Sequence, residues 1–344
     1  MKKTQKTNNK QRGIILGIVA MFLVVFTISF FLGKFPIPIP DFFQTIFNKI
    51  FLTKQSVDTQ VETILFKIRF PRIIMAVVIG AGISVSGSTY QALFQNPMVS
   101  QDILGASQGA AFGAALGLFL SFNYERVILF SFIFGLLAVG LVLLINRYLR
   151  IGSILNLILI GMMVGSLFSS AVSFLKLVGD PTNTLPAITY WLMGSLSSIK
   201  IQDVYFAAPL ILVGMLPIIL FRWRLNILSL GEEEANSLGV DVGRLRIIFI
   251  LAATLITATA VSISGLIGWV GLIVPHFSRM LVGNDHRVGI PVTAILGGTF
   301  LLLVDDISRV LTTSEIPIGI LTSFIGAPIF LFLIVKENQA KQAD

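Results

Sequence analysis

The sequence predicts an all-α polytopic membrane protein with about ten transmembrane helices. Its mean hydropathy is +0.90. Of its 344 residues, 55% are hydrophobic and only 12% are charged, a balance outside the range of soluble domains. Apolar runs of about 20 residues recur along the chain, and each is long enough to cross a bilayer as a helix. The helix is favoured because an open segment in lipid must satisfy its own backbone hydrogen bonds.

Ten apolar segments alternate with short polar connections in a single membrane domain, residues 14–336, between tails at 1–13 and 337–344. The basic first tail leads into a segment with no small-residue cleavage site, so we interpret that segment as a transmembrane helix and not a cleaved signal. The eighth segment is too short to span alone. Ten crossings place both termini on one side, and the excess of Lys and Arg there predicts that it is cytoplasmic. The predicted segments are 14–34, 66–94, 103–121, 127–146, 153–176, 203–221, 244–267, 269–283, 289–308 and 317–335.

Two stretches of the chain share one pattern of small residues and proline. SVSGSTYQALFQNPMVSQDILG begins at Ser84 and SISGLIGWVGLIVPHFSRMLVG begins at Ser262. Both keep Ser, Gly and Pro at the same spacing, and the two copies lie on the second and seventh predicted helices, which cross in opposite directions. The pattern predicts an inverted-topology repeat, helices 2–5 and 7–10, of the kind that places a substrate path between two halves of a transporter. Small residues that only permit close helix packing are the alternative.

Several kinds of chemistry have no candidate residues. The chain has no cysteine and two histidines, so neither a disulfide nor a zinc site is predicted. No nucleotide-binding G-x-x-x-x-G-K-[ST] or hydrolase G-x-S-x-G pattern occurs. We therefore predict no catalytic residue, no metal site and no cofactor. The net charge of +8 is attributed to membrane interfaces and not to nucleic acid.

The predicted helices also lack a carboxylate near the middle of the membrane. Asp305 and Asp306 fall at the end of the ninth helix, and Glu315 precedes the tenth. Carriers driven by protons or sodium usually need an ionisable group inside the bilayer. The sequence therefore favours a transporter driven by a separate subunit. A stand-alone secondary carrier is the alternative from another class.

The polar stretch LSLGEEEANSLGVDVGRLR interrupts this apolar chain. Ser229 and Glu232 have the spacing of a capping box, in which each side chain binds the backbone N–H of the other residue. Three glutamates follow in the first turn, where the helix dipole favours negative charge, and Gly239 is placed to end the helix. We predict a short helix over Leu230–Leu238 between the sixth and seventh membrane helices. An ordinary solvated connector is the alternative.

This stretch resembles the ATPase-docking loop of the FecCD-type permeases, the transmembrane subunits of ABC importers for iron–siderophores, haem and vitamin B12. Four further blocks extend the resemblance from about residue 60 to residue 336: RFPR, GAGISVSGSTYQALFQNPMVSQDILGASQGA, GLIGWVGLIVPHFSRMLVGNDHR and EIPIGILTSFIGAPIF. The resemblance implies a permease that translocates an iron(III)–siderophore complex across the cell membrane, with haem or vitamin B12 as alternatives. The partners it implies are two ABC ATPase subunits, an extracytoplasmic substrate-binding protein, and a second copy of the chain or a similar permease.

The resemblance also implies where the ATPase acts. The predicted short helix, about residues 229–239, matches the coupling helix that sits in a groove of the ATPase. A rigid short helix can transmit a rigid-body displacement, whereas a flexible loop would absorb it. The implied coupling residues are Ser229, Leu230, Gly231, Glu232, Glu233, Glu234, Ala235, Leu238 and Gly239.

Two further sets of residues match family motifs. Arg69, Arg72 and Arg309 match arginines that engage glutamates of the binding protein; snorkelling to the membrane interface is the alternative. The gate positions of the family fall on Asn96, Pro97 and Met98. Here the sequence reads NPMVSQ and lacks the acidic residue and second proline usual in the family, which alters the local geometry of the gate. His276 also lies in a family motif, and we interpret it as structural.

Overall fold

The computed structural model describes residues 2–51, 59–149 and 154–343. Met1 and Asp344, the ends of the two predicted tails, lie outside the described residues. Every regular element in the described part is helical, with one π-helical segment, Ile64–Arg69, between α3 and α4. The α-helices are α1 (Lys2–Ser29), α2 (Ile39–Phe51), α3 (Thr59–Thr63), α4 (Phe70–Leu93), α5 (Ala106–Phe119), α6 (Tyr124–Leu149), α7 (Ile154–Val178), α8 (Thr184–Leu192), α9 (Ile201–Leu220), α10 (Arg222–Leu228), α11 (Glu232–Ser237), α12 (Val242–Ser264), α13 (Val270–Val282), α14 (His286–Val310) and α15 (Ile318–Ala343).

The predicted all-α membrane fold is confirmed. Seven helical stretches of the described chain are long and apolar enough to cross a membrane, and two shorter apolar helices add to them. Helices α2, α3, α8 and α10 were not predicted. Helices α1 and α15 continue through much of the predicted tails, whose domain boundaries stay predictions. The ten predicted segments coincide with α1, α4, α5, α6, α7, α9, α12, α13, α14 and α15.

The bundle has two distinct ends. We call the end that carries α10 and α11 the inner end and the opposite end the outer end. Helix α4 arrives at the inner end, where the side chain of Gln95 just beyond it donates to the carbonyl of Leu228 at 3.1 Å. Helix α12 leaves from the same end shortly after α11. The two copies of the repeat therefore cross in opposite directions, as predicted.

Small residues also bring the central helices together, so the packing interpretation of the repeat holds alongside the topological one. Gly87 of α4 lies directly against the backbone of Gly271 in α13, and no Cβ would fit between them. The carbonyl of Gly271 lacks its usual helical donor because Pro275, four residues later, has no N–H. Gly80 meets the backbone of Gly297 in α14 in the same way.

The two copies of the repeat differ in local structure beyond their shared glycines. Gly105 and Gly283 both adopt positive φ, 80° and 85°, as their matching positions suggest. However, Gly87 lies inside α4, whereas Gly265 has φ 69° and ends α12. The two prolines differ as well: Pro97 lies in the irregular segment after α4, whereas Pro275 lies inside α13.

The break between α12 and α13 is irregular backbone within an apolar bundle, and the segment after α8 bonds to it. The N–H of Ser195 donates to the carbonyl of Ser264 at 2.8 Å. The same segment is bonded to α15, because Ile318 donates its N–H to the carbonyl of Gly194 at 2.8 Å. Unwound backbone at membrane depth is tolerated where protein covers it or where it lines a cavity. This break places α8, α13 and α15 around one point.

Candidate coupling, gating and outer sites

The predicted coupling segment is a helix, but it is shorter than predicted and its capping box is wrong. Helix α11 covers Glu232–Ser237, and its N-cap is Gly231, with φ 128° and no side-chain cap. The hydroxyl of Ser229 instead donates to the carbonyl of Asn226 at 2.8 Å. Because the unpredicted helix α10 ends at this point, Ser229 caps the C-terminus of α10 and is not free to begin α11. The side chain of Glu232 lies outside the described residues.

The C-terminal end of α11 is the glycine stop that was predicted. Gly239 has φ 75° and donates its N–H to Asn236 at 2.9 Å, while Val240 donates to Ala235 at 3.1 Å. This pair of bonds is the Schellman motif, which satisfies the last carbonyl groups of a helix.

Helix α11 presents an apolar and acidic surface at the inner end. Ala235 is fully buried and anchors the helix, whereas Leu230 and Leu238 at its two ends are 61% and 62% exposed. Glu233 and Glu234 are also exposed. Large apolar side chains exposed together often mark a surface that meets another protein.

Helix α10 connects this surface to the rest of the inner end. The side-chain amide of Asn226 donates to Asp285 Oδ1 at 2.7 Å and accepts the N–H of His286 at 2.8 Å. Asp285 is the N-cap of α14 and also accepts the N–H of Arg287 at 2.9 Å. The bonds from Arg287 and Asn226 hold the pKa of Asp285 below its ordinary value. Helix α10 was not predicted from the sequence, although the RWRLN stretch that forms it lies just before the polar stretch LSLGEEEANSLGVDVGRLR.

The predicted gate residues lie in the irregular segment after α4. Asn96 accepts the N–H of Met98 at 2.9 Å in a tight turn, and the side chain of Met98 is half exposed. The turn follows Gln95, whose φ is 50°, a left-handed conformation that costs energy for a residue other than glycine.

The gate segment is also tied to α13. Gln91 donates to the carbonyl of Val99 at 3.1 Å and to that of Leu272 at 3.3 Å. Its carbonyl oxygen accepts from Arg279 Nη1 at 2.6 Å. His276 lies half-buried in the same helix, and its structural role stays a prediction.

An exposed polar stripe on α7 was missed by the sequence analysis. Its serines recur at i, i+3, i+4 and i+7, which puts them on one face. Hydroxyl groups on an exposed face of a transmembrane helix favour a polar path or another helix over lipid. The signal was visible as the spacing of Ser166, Ser169, Ser170 and Ser173, all of them exposed.

A cavity of about 320 Å³ adjoins this stripe at the inner half of α7. The side chains of Asp102 and Gln108 line it together with Ser166. Gln101 donates to the carboxylate of Asp102 at 3.1 Å, and Ser107 donates to its other oxygen. The cavity is thus lined by polar side chains.

The three outer arginines are at the predicted end of the bundle, but they are not free for docking. Arg69, Arg72 and Arg309 are 4%, 4% and 5% exposed. Arg72 Nη2 pairs with Asp305 at 2.8 Å and its Nη1 with Glu315 at 2.9 Å. The expectation that these guanidinium groups face a partner is contradicted by this burial.

The remaining bonds of this arginine cluster tie α1 to the rest of the bundle. Arg309 pairs with Asp305 at 3.1 Å and with Asp306, and Asp306 accepts a bond from Ser29 at the end of α1 at 2.5 Å. Arg69 donates to the carbonyls of Phe30 and Phe35 beyond α1. Burial explains the pairing, because an unpaired charge in such a site is costly.

Comparison with known proteins agrees with this arrangement. The model of the FecCD transport family matches residues 21–336. The molybdate import permease MolB of Haemophilus influenzae is 39% identical over 324 residues, which cover 94% of this chain and 95% of that protein. The iron(3+)-hydroxamate import permease FhuG of Bacillus subtilis is 33% identical over 343 residues, 97% and 100% of the two chains. Other relatives are named for cobalamin, iron chelatin and hemin.

A solved structure shares the whole fold. It is described as an inward-facing conformation of a putative metal-chelate type ABC transporter, and it matches with a TM-score of 0.85 and 38% identity over 94% of this chain and 99% of that one. The family match spans nearly all of the membrane domain. This chain belongs to the FecCD transport family and is a membrane permease subunit of an ABC importer, a family that works with ATPase and binding-protein partners.

Proposed function

We propose that this permease imports iron(III) as a siderophore complex. The observation that carries the proposal is the near full-length similarity to a permease named for iron(3+)-hydroxamate, which the likeness to a metal-chelate type transporter supports. The chain supplies a gated path and no chemistry, and hydrolysis of ATP belongs to its partner.

The inner end is proposed to be cytoplasmic and to carry the two ATPase subunits, one for each permease in a pair. Helix α11 is the proposed point of attachment, because Leu230 and Leu238 stand exposed on either side of it. The buried Ala235 and the Schellman bonds at Gly239 hold the helix together as one rigid piece. A displacement of α11 by the ATPase would therefore be transmitted to the bundle and not be absorbed by bending of the segment.

The substrate path is proposed to run between this chain and a second permease, along the serine face of α7. Two such faces across a pair would form a polar conduit, whereas lipid offers their hydroxyl groups no further polar partner. The segment Asn96–Met98 is the proposed inner gate, since the flexible side chain of Met98 can fill or vacate a narrow opening.

Substrate arrives, we propose, from a binding protein at the outer end. The arginine cluster stabilises the surface of the outer end by fixing the ends of α1, α4 and α14. It does not touch the partner directly, because Arg72 and Arg309 already pair with carboxylates and Arg69 already binds backbone carbonyls.

The proposal is tested by reconstituting the permease with its ATPase and binding protein in vesicles. We expect ATP-dependent uptake of a radiolabelled ferric hydroxamate, and no uptake when the ATPase is omitted. Uptake down a gradient without any ATPase would instead establish the stand-alone carrier.

The coupling surface is tested in the same vesicles. Leu230→Ser combined with Leu238→Ser should lower ATP hydrolysis stimulated by the binding protein, because the contact with the ATPase is lost. Tyr148→Ser removes an exposed aromatic side chain elsewhere at the inner end and should leave hydrolysis unchanged. Equal hydrolysis in all three proteins would remove α11 from the proposal.

A second substrate has a specific observation in its favour. The relative named for molybdate is 39% identical over 94% of this chain, a higher identity than that of the hydroxamate relative. Uptake of labelled molybdate that excess ferric hydroxamate does not reduce would show that molybdate, and not the iron complex, is the substrate.

A further inference from the structure

Helix α2 has three different faces. The first packs on the protein: Phe42 and Thr45 are buried, and the ring of Phe42 lies 5.8 Å from that of Phe30 and 4.7 Å from that of Phe31. The second is polar and carries Asp41, Gln44 and Asn48, at i, i+3 and i+7. The third is apolar and unpartnered, with large side chains repeated every fourth residue that are 54% to 62% exposed: Ile39, Phe43, Phe47 and Phe51.

The position of α2 fixes what this third face can meet. The apolar span of α1 ends at Ser29, and Phe30 and Phe31, which hold Phe42, are the next two residues. Helix α2 is thus held at the outer end of α1, at the level where a membrane span stops. Helix α1 is itself at the periphery, because only 11% of its apolar window is buried, compared with 78% for α12. The surface around α2 is therefore continuous with the lipid-facing surface of α1.

From this geometry we infer that α2 is an interfacial helix whose Ile39–Phe51 stripe inserts into the outer leaflet of the membrane. A helix lying in the interface has protein on one side, water on the second and acyl chains on the third, which are the three faces found here. A stripe of four large apolar side chains exposed to water would be costly and prone to association.

The absence of cysteine from the sequence allows a direct test with single labels. Phe47→Cys places a fluorescent bimane on the stripe, and Gln44→Cys places it on the polar face of the same helix. Each full-length variant is reconstituted in vesicles of phosphatidylcholine and phosphatidylglycerol that contain a lipid with a nitroxide near its head group. Aqueous iodide serves as the opposing quencher.

We expect several-fold stronger quenching by the nitroxide lipid in the Phe47→Cys variant than in the Gln44→Cys variant, and the reverse order with iodide. Strong iodide quenching at position 47 without lipid quenching would overturn the inference. Protection of that label from iodide only after the binding protein is added would also overturn it, because the stripe would then be a protein-docking surface.

Different contacts carry a second inference, which rests on the proposed coupling role of α11. We infer that Asn226 is the positioning residue that transmits a displacement of α11 to α14. Its planar amide makes two bonds to the N-terminus of α14, at 2.7 Å and 2.8 Å, so the two elements cannot rotate independently. Leu225 and Leu228 of α10 are buried, which keeps α10 in register with the core.

Helix α10 also reaches the gate. The bond from Gln95 to the carbonyl of Leu228 connects α10 to the residue just before Asn96. One short helix is thus bonded both to α14 and to the gate segment.

A swap of the two side chains tests this relay in the reconstituted transporter. Asn226→Asp sets two carboxylates against each other and should raise the ATP hydrolysed per substrate moved by several-fold. Adding Asp285→Asn restores a donor–acceptor pair of the same shape and should return the ratio to that of the wild type. A normal ratio in the single variant, or no rescue in the double variant, would overturn the relay. Failure of the wild type to show any stimulated hydrolysis would instead count against the proposed function.

Discussion

Arg72 shows what the sequence reveals about a residue and what it leaves open. Its place at the outer end follows from the RFPR motif before an apolar run. Its partners cannot be predicted from that motif, since Asp305 and Glu315 are more than two hundred residues away in the chain. The pairing of Arg309 with Asp305 and Asp306 could be predicted, because spacings of four and three residues bring side chains together on one helix.

Removing Arg72 should therefore cost stability before it affects partner binding. Arg72→Ala leaves Asp305, which is fully buried, without its main cation, and loss of one partner of a buried pair typically costs about 3–5 kcal/mol. We expect a clear drop in the thermal unfolding midpoint in detergent. Lys67→Ala, at an exposed position of the same region, is the control and should leave the midpoint in place.

At the scale of elements, long apolar helices were predictable and short connecting helices were not. The apolar runs identify ten segments because a helix surrounded by lipid or by other apolar helices must be apolar along most of its length. Helix α10 has only seven residues, and tertiary contacts such as those of Asn226 stabilise it. Once α10 forms, Ser229 belongs to its end, and the capping box expected from spacing alone cannot form.

The C-terminus of α11 gives a prediction at this scale. Gly239→Ala forces a side chain into a φ of 75°, which costs roughly 1–2 kcal/mol and should loosen the coupling helix. Hydrogen exchange over Glu232–Ser237 should speed up in the variant. Gly243→Ala, in the first turn of α12 where a Cβ meets only Asp241 at 3.6 Å, is the matched control and should not change exchange in α11.

At the scale of the whole molecule, the inverted repeat was predictable as topology but not as local structure. Opposite crossing of α4 and α12 follows from counting helices between the copies. That Gly87 stays inside a helix while Gly265 ends one depends on neighbours, since Ser195, in the segment after α8, bonds to the carbonyl of Ser264 at the second break.

Close approach at the centre should make the bundle sensitive to a single methyl group. Gly87→Ala pushes against the backbone of Gly271, and overpacking of this kind costs about 1–3 kcal/mol. Gly140→Ala adds the same group to α6, where nothing lies within 4 Å. Detergent unfolding should be destabilised in the first variant and unchanged or slightly stabilised in the second; equal midpoints would contradict the packing seen here.

The arginine cluster also has an electrical consequence. Three guanidinium groups and three carboxylates, Asp305, Asp306 and Glu315, lie in one cluster, where Arg72 and Arg309 pair with the carboxylates and Arg69 binds backbone carbonyls. A membrane potential does work on a moving element in proportion to the net charge it carries, about 2.3 kcal/mol per charge per 100 mV. Because the six charges cancel, the cluster can shift as one body along the membrane normal while the voltage neither drives nor resists it.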